Sequence, residues 1–391
     1  MKHLHGLAVA TALACALALP GAARAGGVSD TEIVIGTHLD LSGPTAANMP
    51  MLRNATQMRL DEANAAGGIH GRKIRLVTED NGSQPQLAVR AVQKLIKSDD
   101  VFALLNPFGS GPNAATVKAA TGAGVVVFAP WAASAVIQKI SGNSPLLFTT
   151  VQNYDSTTAT GLSWAIKTWG AKRVGVIYQE GPLGDLMRAG IDQALKAARL
   201  SPVAEASFKV GDVDFSSQVA KMRAADADLV FAATVVRETV GVMSEIKKVG
   251  WNVKVLAGIP ARSTIVAVLG KNAVEGLYGI GGWVLNDANS KDPAAQKFWR
   301  DYKARYNTDP DENAANAYSY ASWFVDCLQA AGRNLTAQSF ASACKSVSHQ
   351  DFTTYAKLGF VDNHVSPELV AIDEIKGGHW VQVAPPMSAA R

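Results

Sequence analysis

The chain has 391 residues, with 37 Lys+Arg against 33 Asp+Glu, a formal net charge of +4, 48% hydrophobic residues and 18% charged residues. That length exceeds what one hydrophobic core sustains and suits two lobes, and the apolar content excludes a disordered chain. The near-neutral charge balance gives no basis for nucleic acid or an anionic membrane surface as a partner.

The first element in chain order is an export signal over residues 1–25. Lys2, with His3 and His5, forms a short basic start, residues 7–19 are an apolar run, and Pro20-Gly21 breaks it. Ala23-Arg24-Ala25 then supplies small residues at the cleavage positions. The run is too short for a membrane span, and no later run is long enough. Cys15 raises lipoprotein processing as an alternative, but Ala12-Leu13-Ala14 is a poor lipidation box and the apolar run continues past it. Cleavage after Ala25 removes 25 of 391 residues to leave 366; losing Lys2 and Arg24 lowers the charge from +4 to +2. A soluble periplasmic protein is the expectation.

Short apolar, β-rich runs then alternate with helical patterns. Strands are expected at 33–36, 74–79, 103–105, 125–129, 173–178, 202–208, 229–232, 253–257 and 276–282. Helices are expected near 51–66, 85–98, 111–121, 157–169, 184–198, 215–224, 238–249 and 263–269, and the chain reads as mostly helical after Asp292. The strands are near-continuous apolar runs, as strands buried on both faces of a parallel sheet are. The alternation occurs twice, over 33–128 and 174–256, with an extended crossover at 145–151 between the two series. Two α/β lobes imply a cleft where strand C-termini and helix N-termini converge. Cys327 and Cys344 lie on two consecutive helices. They are compatible with a disulfide, which is the expectation, or with two buried small hydrophobes.

The chain has no His-Glu-x-x-His, Cys-x-x-Cys, Gly-x-Ser-x-Gly or phosphate-loop motif. The histidines after the signal, His38, His70, His349, His364 and His379, have no ligand spacing to one another. No catalytic residue, metal or cofactor is therefore expected. Gly109-Ser110-Gly111 follows a strand and opens a helix, where free N–H groups suit a carboxylate; a plain helix cap is the equal alternative. Trp131, followed by Ala132, Ala133 and Ser134, can wall a site or pack between lobe and helix. Tyr154 sits at the crossover, within reach of the cleft. Arg237 after one strand, and Arg262 after Pro260-Ala261, are each either an anchor for an acid or a solvated charge.

Taken together, these elements resemble the leucine/isoleucine/valine-binding family of periplasmic substrate-binding proteins, the type I fold of branched-chain amino acid ABC importers. The resemblance rests on Ile33-Val34-Ile35-Gly36, Leu41-Ser42-Gly43-Pro44, Glu62-Ala63-Asn64-Ala65-Ala66-Gly67-Gly68-Ile69 running on to Ile74, and Asp80-Asn81. Weaker blocks follow at Gly122-Ala123-Gly124-Val125, around Asp212 and Phe215, and at Gly250. The resemblance implies an α/β protein of two Rossmann-like lobes with parallel sheets, joined by a multi-strand hinge. Lobe 1 would combine 28–150 with 284–357, and lobe 2 would combine 151–283 with 358–391. It implies a non-enzymatic receptor, monomeric, that captures a small molecule and delivers it to an inner-membrane ABC permease. A ligand sensor that signals to a membrane kinase is the alternative on the same fold.

The same resemblance implies ligand contacts from Phe108, Ser110 and Gly111, from Trp131, Ala132 and Ser134, and from Tyr154, Leu183, Val235, Arg237 and Pro260. It also exposes departures. Where amino-acid binders of this kind carry two aromatic residues and an acid, this chain has Leu183, Val235 and Pro260. A ligand ammonium would lack a partner there, which is costly when buried. An organic or aromatic acid is the expected ligand, with Glu238 as the first candidate should a carboxylate partner exist.

Overall fold

In the computed structural model, which describes residues 26–132 and 136–389, the chain begins with β1 (Glu32–Leu39), α1 (Met49–Ala65), β2 (Lys73–Asp80), α2 (Pro85–Lys97), β3 (Ala103–Leu105), α3 (Ser110–Gly122), β4 (Val126–Phe128), α4 (Val136–Ile140) and β5 (Leu147–Phe148). A second series follows: α5 (Tyr154–Trp169), β6 (Val174–Gln179), α6 (Pro182–Ala197), β7 (Ala204–Phe208), α7 (Ser216–Ala224), β8 (Leu229–Ala233), α8 (Val236–Lys248), β9 (Lys254–Ala257), α9 (Thr264–Gly270) and β10 (Tyr278–Gly281). The chain then passes through α10 (Pro293–Tyr306), α11 (Glu312–Ala331) and α12 (Ala337–Ser346). It ends in β11 (Gly359–Val361), β12 (His364–Ser366), β13 (Leu369–Lys376) and β14 (His379–Ser388). The export signal expected at 1–25 lies outside the described residues.

Two sheets result. The first is parallel in the order β2-β1-β3-β4-β5; the second has the order β14-β13-β10-β9-β8-β6-β7. Interior strands are buried on both faces, with β8 and β10 buried at every residue. The edge strands β2 and β7 are only partly buried. This is the pattern of sheets covered by helices on either side. One core joins β1, β3, β4 and β5 to α11 and α12 around Phe128, Phe148, Trp323, Phe324 and Phe340. The cores of the other lobe lie on the two faces of the second sheet. Cys327 and Cys344 are bonded, with Cα atoms 4.7 Å apart, and tie α11 to α12.

The chain's end differs from expectation. Its mostly helical stretch stops at Ser346, and β13 pairs antiparallel with β10 and with β14, so the second sheet is mixed. β13 carries Asp373, Glu374 and Lys376 and β14 carries two adjacent prolines, so their apolar signal is interrupted. Pro385 and Pro386 are admissible because β14 is an edge strand.

Three crossings link the lobes, after β5, after β10 and before β13. They are laced together. Thr149 N–H donates to Asn363 O at 3.0 Å and Val365 N–H to Thr149 O at 3.0 Å, while Val284 N–H donates to Thr353 O at 2.9 Å.

Candidate functional site

A cavity of about 320 Å³ lies between the lobes, inside the range usual for small-molecule sites. Its first-lobe wall is built from the turns that follow β1, β3 and β4. These contribute Thr45, Asn48, Met49, Phe108 and Trp131, and the N-terminal half of α11 adds Glu312, Asn316 and Tyr320. The second-lobe wall comes from the turns after β8, β9 and β10, with Val235, Ile259, Pro260, Arg262, Ser263 and Trp283. Val151 and Tyr154 close it at the crossover. Each turn stands at the C-terminal end of a sheet strand, and those after β1 and β3 flank the point where the strand order of the first sheet reverses.

The cavity is aromatic. Trp131 and Tyr320 pack with ring centroids 6.0 Å apart, and Phe108, Tyr154 and Trp283 complete the ring-lined wall. Burial pushes the Tyr154 hydroxyl up to about 12 and holds Tyr320 higher still, so both stay neutral. Phe108 is held by its own backbone: its N–H donates to His38 O at 2.9 Å, and its carbonyl accepts from Asn81 Nδ2 at 2.9 Å.

Arg262 dominates the electrostatics. Its side chain is fully buried. Nε donates to Asp373 Oδ2 at 2.5 Å, and Nη2 donates to Trp283 O at 3.0 Å and to the Tyr355 hydroxyl at 2.9 Å. Nη1 has no partner among the described residues. Glycines make room for it: a Cβ at Gly281 would stand 2.1 Å from Nη1, and one at Gly279 2.9 Å from the Arg262 Cβ. The Trp131 and Trp283 indole N–H groups and Asn316 Oδ1 are likewise buried without partners. Three open donors and one open acceptor therefore belong to residues lining one aromatic cavity. Buried polar groups are nearly always satisfied, so open ones here mark positions for a ligand or water.

Glu312 supplies the one carboxylate among the described residues lining the cavity. Both of its oxygens accept from the opposite lobe: Ser263 Oγ donates to Oε1 at 2.5 Å and Thr264 Oγ1 to Oε2 at 2.5 Å. Burial, and then Asp311 beside it, raise its pKa.

Five of the residues expected from sequence come together here: Phe108, Trp131, Tyr154, Val235 and Pro260. Ser110 and Gly111 stand exposed in the first turn of α3, outside the cavity lining. Ala132 is buried in the packing of the first lobe, and Leu183 packs against a core face of the second. Arg237 is exposed in the first turn of α8. Ser134 lies outside the described residues. Glu238 is buried with Oε2 unpartnered, but it does not line the cavity. Of the two arginines that sequence leaves open, Arg262 is the one that stands in the cleft. The stripe Glu312, Asn316 and Tyr320 is absent from the sequence-based expectations. Its i, i+4, i+8 spacing in an alanine-rich helix is the signal that points to it.

A larger hollow of about 480 Å³ lies within the first lobe between α1, α10 and α11. On its walls Tyr318 donates to Glu62 at 2.6 Å and Arg59 to Ser322 at 2.9 Å.

A family model described as periplasmic binding protein matches residues 32–372. Among curated relatives, the Leu/Ile/Val-binding protein BraC3 of Rhizobium johnstonii is 24% identical over 320 residues, spanning 81% of this chain and 84% of that protein. Among solved structures, the branched-chain amino acid transporter substrate-binding protein LivJ of Streptococcus pneumoniae, in complex with isoleucine, aligns with a TM-score of 0.75 and 24% identity. The alignment covers 90% of this chain and 100% of that one. An ABC transporter solute-binding protein of R. palustris, in complex with benzoate, aligns with a TM-score of 0.77 and 20% identity, covering 91% and 98%.

Proposed function

Because the chain belongs to the periplasmic binding protein family, we propose that it is the extracytoplasmic receptor of an ABC importer, capturing a carboxylate-bearing organic or aromatic acid in the inter-lobe cleft. In this reading residues 1–25 are removed on export, and the protein works as a monomer that presents its closed form to a membrane permease. The unpartnered Nη1 of Arg262 carries the proposal. A buried guanidinium held by three hydrogen bonds from Nε and Nη2, with Nη1 left unpartnered, suits an oxyanion. The aromatic walls suit the apolar body of such an acid. The R. palustris protein, which shares the fold, holds benzoate, an acid of this kind. An α-amino acid fits less well, because the one carboxylate among the described residues lining the cavity already accepts from Ser263 and Thr264 of the opposite lobe and is less available to a ligand ammonium.

Titration calorimetry with benzoate, with 4-methylpentanoate and with leucine tests the reading, since the last two differ essentially by the amino group. The acids are expected to bind more tightly than leucine, and an Arg262→Lys variant is expected to lose most of the acids' affinity. Leucine binding more tightly than 4-methylpentanoate would overturn the assignment to acids.

A further inference from the structure

The contact between Glu312 and α9 spans the cleft. Glu312 is the first residue of α11, a helix packed in the core of the first lobe. Ser263 and Thr264 open α9, whose Val266 and Ala267 belong to a core of the second lobe. Each side is anchored in its own lobe. Asp311 Oδ1 caps α11 by accepting from Ala314 N–H at 2.8 Å. On the other side Ser263 caps α9, and its carbonyl accepts from Trp380 Nε1 at 2.8 Å. Neither partner has a flexible tether, so the three bonds to the Glu312 carboxylate, including a longer one from Thr264 N–H at 3.4 Å, form only when the lobes are together.

Ser263 follows Arg262 directly in the chain. Whatever fixes Ser263 against the first lobe also fixes the backbone that carries the guanidinium. We propose that Glu312 is a cross-cleft latch: it locks the first turn of α9 to α11, favours the closed form and thereby positions Arg262 over the cavity. It is a positioning residue, with its carboxylate committed to the opposite lobe instead of to the ligand. The latch itself needs no ligand; its effect on affinity rests on the function proposed above. Closure is favoured only by contacts that differ between the open and closed forms, and these bonds are such contacts.

A double-mutant cycle on the full mature protein tests the latch. Thr264→Val removes one donor while leaving shape nearly intact, and avoids Ser263, whose loss would also remove a helix cap. Glu312→Ala removes the acceptor, and Glu312→Gln retains an acceptor oxygen. Small-angle scattering without ligand is expected to show a larger radius of gyration for Glu312→Ala and for Thr264→Val than for the wild type. The pair together should give no further increase, and Glu312→Gln should fall nearer the wild type. Benzoate affinity should fall roughly two- to tenfold in each single variant, as for loss of one or two hydrogen bonds, and the double variant should be no worse than the stronger single. Additive effects of the two substitutions, or an unchanged radius and affinity in both, would overturn the latch. If benzoate fails to bind the wild type, the acid reading falls, and the ligand-free scattering cycle still decides the latch.

Discussion

The first lobe places His38 at the end of β1, and the second places Arg262 just beyond β9. Both side chains are buried, yet they meet the cost of burial in opposite ways. Burial alone draws the His38 imidazole down from its ordinary 6.5 to about 4, so it is neutral. Its ring stands 2.9 Å from Asn81 Nδ2. That donor requires Nδ1 to accept and puts the proton on Nε2, which has no partner among the described residues. Arg262 cannot shed its proton, so the fold supplies Asp373 instead. The lesson is a division of labour. The first-lobe wall offers rings, an amide and a carboxylate already engaged across the cleft, and the second-lobe wall offers a compensated charge with two open donors, Arg262 Nη1 and the Trp283 indole N–H.

The comparison breaks most sharply at Arg262. Arg262→Met should destabilise the protein by about 3–5 kcal/mol, because it strands the buried Asp373 carboxylate. Urea unfolding of Arg262→Met and of the Arg262→Met/Asp373→Asn pair measures this. The pair should recover much of the loss in stability and none of the acid binding. A single variant as stable as the wild type would mean that Asp373 finds another partner.

His38 should show itself through pH. Its folded pKa lies below its unfolded one, so the unfolded chain takes up a proton first as pH falls. Stability is therefore lost between pH 6.5 and about 4, by about 3 kcal/mol. Denaturant unfolding across that range should show the loss in the wild type and a flatter profile in His38→Leu. Equal slopes in the two proteins would place the acid sensitivity elsewhere.

The smallest expected effect sharpens the comparison by asking which lobe anchors the ligand. Ser110→Ala should change stability and benzoate affinity by less than about 0.5 kcal/mol, as an exposed position does. An affinity loss of about 1–3 kcal/mol would instead assign the carboxylate to the first-lobe turn.

Much of this arrangement is legible in the amino-acid sequence. Uninterrupted apolar runs such as Leu229 to Ala232 announce parallel interior strands, and Phe108, Trp131 and Tyr154 are readable as residues that follow a strand or begin a helix beside a cleft. Arg262 is ambiguous because sequence shows a cation without showing its partner, and Asp373 lies more than a hundred residues away. Glu312 and Asn316 are hidden for a related reason: their helix reads as ordinary core packing, and only the return of the chain brings its N-terminus to face α9. Gly281 shows nothing in the sequence of its local role, which is to leave space for the Arg262 guanidinium.

The core joining β1, β3, β4 and β5 to α11 and α12 uses residues from Ile33 to Val365. One face of the second sheet draws on Val370, Ile372 and Ala384. A ribosome that has made the first three hundred residues has thus completed neither lobe. The middle of the chain has to await its last strands, and the beginning has to await α11 and α12. The entropy of closing such long loops must be met before the contacts between distant segments reward it, which slows the final docking. The interleaved order of the chain therefore makes folding a late event, one that the two ends of the polypeptide complete together.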